Sequence, residues 1–251
     1  MKVSIITTVK NNECNIEKCI LSVINQTYND IEYIIIDGKS TDKTLDVIKK
    51  YKNKINILLS EHDTGIYAGL NRGISLASGD IIALVHSDDE IYDKHVVADT
   101  VKFFNTNVNT VGLYGDLIYT KSQDTSKIIR YWKSKQYCKS DLKLGWMPPH
   151  TTLYLRKCVY DTLGNFDEQY SISADYDFII RVLSTDLKIQ YIPRIFCQMR
   201  LGGVSNRSLK SLMIKANEDY HVLRKNKITG LVIIIKMLRK IPQFIHWKRY
   251  V

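Results

Sequence analysis

The first third of the chain alternates between two kinds of apolar patterning. Short continuous apolar runs at 2–9 (KVSIITTV), 31–37 (IEYIIID), 55–60 (INILLS) and 81–85 (IIALV) read as strands, the last buried on both faces. Between them the spacing turns helical. The stretch 15–26 (NIEKCILSVINQ) puts Ile16, Cys19, Ile20, Val23 and Ile24 on one stripe. A second helix is predicted over 42–51 (DKTLDVIKKY), with Ser40 or Thr41 as cap and Asp42 near its positive end. A third follows over 65–78 (GIYAGLNRGISLAS) and is stopped by Gly79. Strand–helix–strand units in succession predict an α/β fold with a parallel central sheet and helices on both faces. Ligands of such sheets bind at the carboxyl ends of the strands. There this chain keeps Thr7, Thr8, Asn11, Asp37, Glu61, Asp63, Asp88 and Asp89.

The second half is less regular. Strands are predicted at 111–120, 151–157, 188–193 and 194–201, and helices at 176–185 and 208–225, while 121–143 carries no clear period. The tail 228–251 mixes a short apolar block with Lys236, Arg239, Lys240, Lys248 and Arg249, and adds Phe244 and Trp247. It suits either an amphipathic segment in a headgroup layer or a terminal helix packed on the domain. Together with the helical stripe before it, the tail forms a helical, basic, amphipathic extension at 206–251.

Composition narrows the class. With 251 residues, 45% hydrophobic and 25% charged, the chain is an ordinary globular protein. Lys plus Arg is 36 against 26 acidic residues, a formal charge of +10, which calls for an anionic partner: nucleic acid, a phosphate-bearing substrate or an anionic membrane surface. The five cysteines are scattered without a CxxC pair, so free buried thiols in a reducing cytosol are expected rather than disulfides or zinc. The opening lacks a signal-peptide pattern, and no run of 18 apolar residues occurs, so a cytoplasmic protein is expected.

The chemistry concentrates in 79–90 (GDIIALVHSDDE), where a buried strand ends in two adjacent carboxylates, Asp88 and Asp89. Like charges side by side repel unless a cation sits against them. A hard divalent ion, Mn²⁺ or Mg²⁺, shared between one or two carboxylates and the oxygens of a diphosphate meets that need. In isolation, two adjacent aspartates in a loop are more often a turn or a helix cap than a metal site.

Five stretches in order change this balance: VSIITTVKNNE, SVINQTYNDIEYIIIDGKSTDKT, DTGIYAGLNRGISLASGDIIALVHSDD, GWMPPHTTLYLRK and GNFDEQYSISADYDFIIR. Over residues 1–205 the chain resembles the inverting family 2 glycosyltransferases of the GT-A fold, in a branch that acts in bacterial surface-polysaccharide assembly (O-antigen, capsule). The resemblance implies a Rossmann-like nucleotide-binding half and an acceptor-binding half. It implies that Thr8 and Asn11 lie by the base and ribose and that Asp37 contacts the nucleoside. Asp89 ligates the metal, Asp88 approaches the ribose, the sugar or the ion, and Asp175 is the general base. Asp63 and Asn71 would shape the donor pocket, and Trp146 and His150 the acceptor site. The implied donor is a nucleoside-diphosphate sugar, a UDP-sugar in first place. The acceptor is a saccharide or a polyprenyl-diphosphate-linked one, met at the inner face of the membrane. No nucleic-acid partner is expected.

The chain departs from the pattern at three places. Asp37 is followed by Gly38 rather than a second acid, His86 stands two places before Asp88 where a carboxylate is usual, and Ala174 replaces the acid before Asp175. Plainer roles remain for several residues. Asp37 could cap a turn, Asp175 could cap the helix that follows it, and Trp146 could be a packing residue. Asp177 stands one step further into the helix and is the weaker candidate base. Two other functions stay open at this level. A nucleotidyltransferase would want a glycine-rich phosphate loop after the first strand, which TVKNNE lacks. A basic binding module would rest on 127–139 and leave Asp88, Asp89 and Asp175 without a role.

Overall fold

The computed structural model describes residues 1–62, 64–121, 124–201, 209–230 and 232–238. Its first half follows the predicted alternation: β1 (Val3–Val9), α1 (Ile16–Ile24), β2 (Ile31–Asp37), α2 (Thr44–Lys49), β3 (Ile57–Ser60), α3 (Ile66–Leu76) and β4 (Ile81–Leu84). Then come β5 (Asp89–Ile91), α4 (Val96–Thr106), β6 (Gly112–Lys121), β7 (Asp124–Trp132), β8 (Tyr154–Arg156), α5 (Lys157–Leu163), α6 (Ala174–Leu183), β9 (Ile189–Arg200), α7 (Leu209–Lys225) and α8 (Val232–Leu238).

Among the described residues the strands form one sheet in the order β3-β2-β1-β4-β8-β6-β9-β5, with β7 added against β6. β3, β2, β1 and β4 are mutually parallel. At β8 the direction reverses, because β4 and β6 both pair with it antiparallel. That reversal puts the tips of β1, β2 and β4 opposite the second half of the chain, and the site forms there.

Side-chain alternation along the central strand explains the layering. Val3, Ile5 and Val9 of β1 face α1, α2 and α4, while Ile6 points to the other layer with Tyr67, Leu70 and Ile74 of α3. α3 lies so close to β1 that a Cβ on Gly73 would sit 2.4 Å from Ile6 Cγ2. The second layer also takes in α5, α6, Val222 and Leu223 of α7, and Val232 of α8.

Several expectations change here. The predicted pair of strands at 188–193 and 194–201 is one strand, β9. Its register against β6 slips between Tyr114–Tyr191 and Asp116–Ile195, which accommodates Pro193 in a bulge rather than at a strand end. Segment 124–132, within the unassigned stretch, is a strand paired to β6. The cysteines are all free, but Cys14, Cys138 and Cys158 are exposed and only Cys19 and Cys197 are buried. The tail is helical at Val232–Leu238, with Val232 fully buried in the second layer. Residues 239–251, which carry most of the tail's basic and aromatic side chains, lie outside the described residues. Among the described residues no helix is long and apolar enough to cross a membrane.

Candidate active site

The parallel half supplies one wall. After β1 the chain turns through Asn11, which adopts a left-handed φ of 50°. Its Oδ1 accepts from the Thr41 amide at 2.8 Å, and its own amide donates to Ser40 Oγ at 2.9 Å. These bonds lock the loop after β1 to the loop after β2. Asp37, at the tip of β2, is fully buried, with its carboxylate accepting from Ser60 Oγ at 2.6 Å and the Ser40 amide at 3.1 Å. It holds the turn instead of presenting free oxygens to the crevice. Thr8 is buried, and its Oγ1 has no hydrogen-bond partner among the described residues. Asp63 lies outside the described residues.

Strand β4 delivers the acidic corner. The chain turns sharply after Val85, the Asp89 amide donating to the His86 carbonyl at 2.9 Å, and then runs into β5. Asn12 reaches across from the first loop to Ser87, with Nδ2 at 2.9 Å from Oγ. Asp88 is half-buried, whereas Asp89 is wholly buried and neither carboxylate oxygen has a partner among the described residues. Burial and the neighbouring Asp88 charge push the Asp89 pKa well up, against the pull of Arg200. Arg200, at the end of β9, donates to the Asp88 carbonyl at 2.8 Å and pairs with Glu90, bracing the corner from behind.

This donor set fits a divalent cation held jointly with phosphates. Orphaned buried carboxylate oxygens are costly and call for a cation. No cluster of three or more His, Cys, Asp and Glu side chains suited to hold a metal occurs among the described residues; an ion held by one or two carboxylates takes its remaining ligands from substrate phosphates and water. Of the two carboxylates Asp88 is the more accessible, because the β5–β9 pairing draws Asp89 into the sheet.

The other wall comes from α6. Asp175 stands in its first turn, half-buried, with Oδ2 at 3.2 Å from His150 Nδ1 and Oδ1 at 3.2 Å from the Tyr67 hydroxyl. The Tyr67 hydroxyl also lies 2.6 Å from the Ile172 carbonyl, so one proton is shared between two acceptors. His150 Nε2 is 3.2 Å from His86 Nε2, which belongs to the same loop as Asp88. The acidic corner and the α6 carboxylate are thus joined through two imidazoles. Desolvation lowers both rings, His150 to about 4 against the opposing Asp175 charge, so both stand neutral at pH 7. Asp177 is fully buried in ion pairs with Arg181 at 2.9 Å and Lys225 at 3.1 Å, which removes it as a base.

Tyr67, His86, His150 and Asp175 open onto a cavity of about 260 Å³, whose lining does not include Asp88 or Asp89 themselves. Its lining includes His86, His150, Asp175, Tyr67, Arg200 and Lys215 over an otherwise mostly apolar floor. Two expected residues are elsewhere. Trp146 stacks on Tyr137 with centroids 5.9 Å apart and lies against Tyr114, so its face is spent on packing and it is not part of the cavity wall. The Asn71 amide is taken up by the Phe166 backbone at 3.0 Å on both sides and by Glu168 at 2.7 Å. It ties α3 to the loop before α6 and leaves no free group for a donor.

Three contributors were absent from the sequence reading. Tyr67 sits within a quoted motif, but its hydroxyl meets Asp175 only through the packing of α3 on α6. Arg200 occupies a strand whose local pattern signals nothing but burial. Glu218 lies on the polar side of the α7 stripe, yet accepts from the Ser171, Ile172 and Ser173 amides at 2.8–2.9 Å.

A curled, mostly parallel sheet with a two-aspartate corner at the tip of β4, and a single carboxylate facing it from a helix start, defines a GT-A glycosyltransferase. The chain belongs to glycosyl transferase family 2, whose profile matches residues 4–163. A PGL/p-HBAD biosynthesis glycosyltransferase of Mycobacterium bovis is 26% identical over 96% of this chain and 91% of its own length. A hyaluronan synthase of Pasteurella multocida is 27% identical over 84% of this chain but only 21% of its own length. Among solved structures, S. aureus TarS 1–349 in complex with UDP-GlcNAc superposes with a TM-score of 0.72 at 19% identity, over 94% of this chain and 66% of that one. A mannosyltransferase from Pyrobaculum calidifontis with GDP-Man and Mn²⁺ gives 0.67 at 16% identity, over 93% of this chain and 68% of that one. Membership of the family removes the nucleotidyltransferase and the non-enzymatic binding module as readings.

Proposed function

We propose that this glycosyltransferase moves a single sugar, with inversion, from a nucleoside diphosphate to a saccharide or polyprenyl-diphosphate-linked acceptor in cell-surface glycan synthesis. A UDP-sugar is the favoured donor, in keeping with the TarS complex. One observation carries the reading: Asp175 and the Asp88 loop meet through His150 and His86 in two steps of 3.2 Å at one cavity. The departing diphosphate and the attacking acceptor hydroxyl must meet at one anomeric carbon, from opposite sides, and a base placed close to the acidic corner suits that.

The roles follow from the surroundings of each group. Thr8, with its unpartnered hydroxyl, and the Asn11 turn receive the base and ribose, while Asp37 supports that edge through Ser40 and Ser60. Asp88 and Asp89 would hold Mn²⁺ or Mg²⁺, which as a Lewis acid offsets the charge of the departing diphosphate. Asp175 takes the proton of the attacking hydroxyl. A carboxylate placed for this contributes roughly 10²–10⁴-fold. Tyr67 and His150 each contact one of its oxygens and so fix the orientation of the carboxylate. The apolar floor limits water that would compete with the acceptor hydroxyl. Among the lining residues Asp175 is the lone carboxylate, which suits a single displacement with inversion.

The test is a panel of UDP-, GDP- and dTDP-sugars examined for Mn²⁺-dependent binding and for release of nucleoside diphosphate. The reading expects metal-dependent binding of at least one donor and loss of transfer, with retained donor affinity, in Asp175→Asn. Metal-independent binding of every donor, or full transfer by Asp175→Asn, refutes it.

A further inference from the structure

We propose that His150 is a positioning residue for the base: its Nδ1–H is donated to Asp175 Oδ2 while its Nε2 accepts from His86 Nε2–H. The distances are 3.2 Å for each link, and the two rings meet edge-on at 61°. The direction of the chain follows from what its ends can do. An ionised carboxylate only accepts, so Nδ1 of His150 carries a proton. A neutral imidazole then has an unprotonated Nε2, which accepts, so the facing His86 nitrogen is the donor. At each link one partner donates and the other accepts, so both contacts of His150 are satisfied at once.

His86 is what makes this arrangement possible. A carboxylate at position 86 could only accept, and His150 would then need protons on both nitrogens to satisfy it and Asp175 together. An imidazolium beside Asp175 would lower the basicity of the carboxylate that has to take the acceptor proton. A histidine at 86 can donate where a carboxylate could not, and so orients His150 and the base without spending the charge of Asp175. Because His86 and Asp88 lie in one turn after β4, the chain also fixes the distance between the acidic corner and α6.

The proposal rests on the reading of Asp175 as the base, and the experiment separates the two. The tautomers are read from ¹⁵N-histidine NMR of the resting protein, which needs no substrate. His150 is expected as the Nδ1–H form and His86 as Nε2–H. The opposite assignment for His150 overturns the proposal. In kinetics with the sugar-nucleotide panel, His150→Ala is expected to lower kcat about 10–100-fold, the usual cost of losing a carboxylate–histidine support. The donor KM should change less than about threefold, the sign of an interaction absent from ground-state binding.

His150→Asn, whose amide nitrogen falls near Nδ1, is expected to recover most of that loss. His150→Gln, closer in size but reaching past that point, is not. A residue that merely filled space would reverse that order. Wild-type kcat in His150→Ala, or equal rescue by Asn and Gln, with Asp175→Asn inactive, overturns the proposal alone. Full transfer by Asp175→Asn overturns the base reading and this inference with it.

Discussion

The first turn of α6 is held from outside by one side chain of α7, and removing that side chain should loosen the base. Glu218 Oε1 accepts from the Ser171 amide at 2.9 Å and its hydroxyl at 2.7 Å, while Oε2 accepts from the Ile172 and Ser173 amides at 2.8 and 2.9 Å. Asp175 is two residues further on. Glu218 thereby satisfies donors at the entry to α6 that no cap of its own provides, since Ser173 makes no side-chain cap and instead donates to Asp219 at 2.7 Å. Burial acts to raise the Glu218 pKa, but these bonds outweigh it and hold the carboxylate below its usual value.

Glu218→Ala leaves three backbone N–H groups without that acceptor. Water reaches Ser171, which is exposed, but the part-buried Ile172 and Ser173 amides are harder to satisfy. At roughly 1–2 kcal/mol for each of the two hidden donors, the loss is about 2–4 kcal/mol. Glu218→Gln keeps one good acceptor and should lose about half of that. Urea unfolding of the three proteins at pH 7.5 measures the effect directly. Nucleoside-diphosphate release should show a lower kcat in Glu218→Ala at unchanged donor KM, because Asp175 and not the donor edge is displaced. A stability loss below about 0.5 kcal/mol, within the scatter of a surface change, refutes this account.

Further expectations concern the corner, the sheet and the imidazoles. Asp89→Asn should abolish Mn²⁺-dependent donor binding yet stabilise the metal-free protein by about 1–2 kcal/mol, since it removes a buried carboxylate with no partner; a less stable metal-free variant counts against that assignment. Asp88→Asn should weaken metal-dependent binding without the gain in stability, as titration calorimetry and melting curves together will show. Gly79→Ala should cost about 2 kcal/mol or more in chemical unfolding, because its Cβ would lie 2.7 Å from the Ser4 amide nitrogen and 2.9 Å from the Lys2 carbonyl, both backbone. Folded His150 is lowered to about 4 while the unfolded ring titrates near 6.5, so the unfolded chain binds the extra proton first. Stability should fall from pH 6.5 toward pH 4 more steeply in wild type than in His150→Asn, and parallel curves would contradict this.

What the chain announced in advance was local. Strands β1 to β4 are buried runs between helices of clear period, so the parallel half could be drawn from pattern alone. The acidic corner was legible from its place at the tip of a buried strand within an ordered series of motifs, since two adjacent aspartates alone would suit a turn or a cap. α4 is missing from the predicted elements although Val97, Val101 and Phe104 keep helical spacing and are buried. β7 was hidden because it is an outer strand whose alternating residues are only partly buried. Trp146 and Asn71 were misplaced by reasoning from residue type, as an aromatic face and an amide serve a core and a loop as well as they serve a sugar. The contacts that shape the site join positions far apart: the packing of α3 on α6 brings Tyr67 to Asp175, and the antiparallel β8 beside β4 brings His150 to His86.

The reversal at β8 also bears on where the catalytic unit ends. A boundary at 205/206 treats the last helices as an appendage, but the contacts of α7 run the other way. Besides Glu218, Asp219 receives the Ser173 hydroxyl, Lys225 pairs with Asp167 and with buried Asp177, and Lys215 lines the cavity. The parallel half presents the corner from loops pinned to each other by Asn11, Asn12 and Ser40. The base has no such strand-tip support, because α6 begins after a loop with no sheet neighbour of its own. α7 supplies the missing rigidity with charged groups that satisfy the helix start and neutralise its interior acid. A chain cut at residue 205 would keep the entire parallel half and the Asp88 corner. It would still lose the alignment of Asp175, so donor binding would survive the cut and transfer would not.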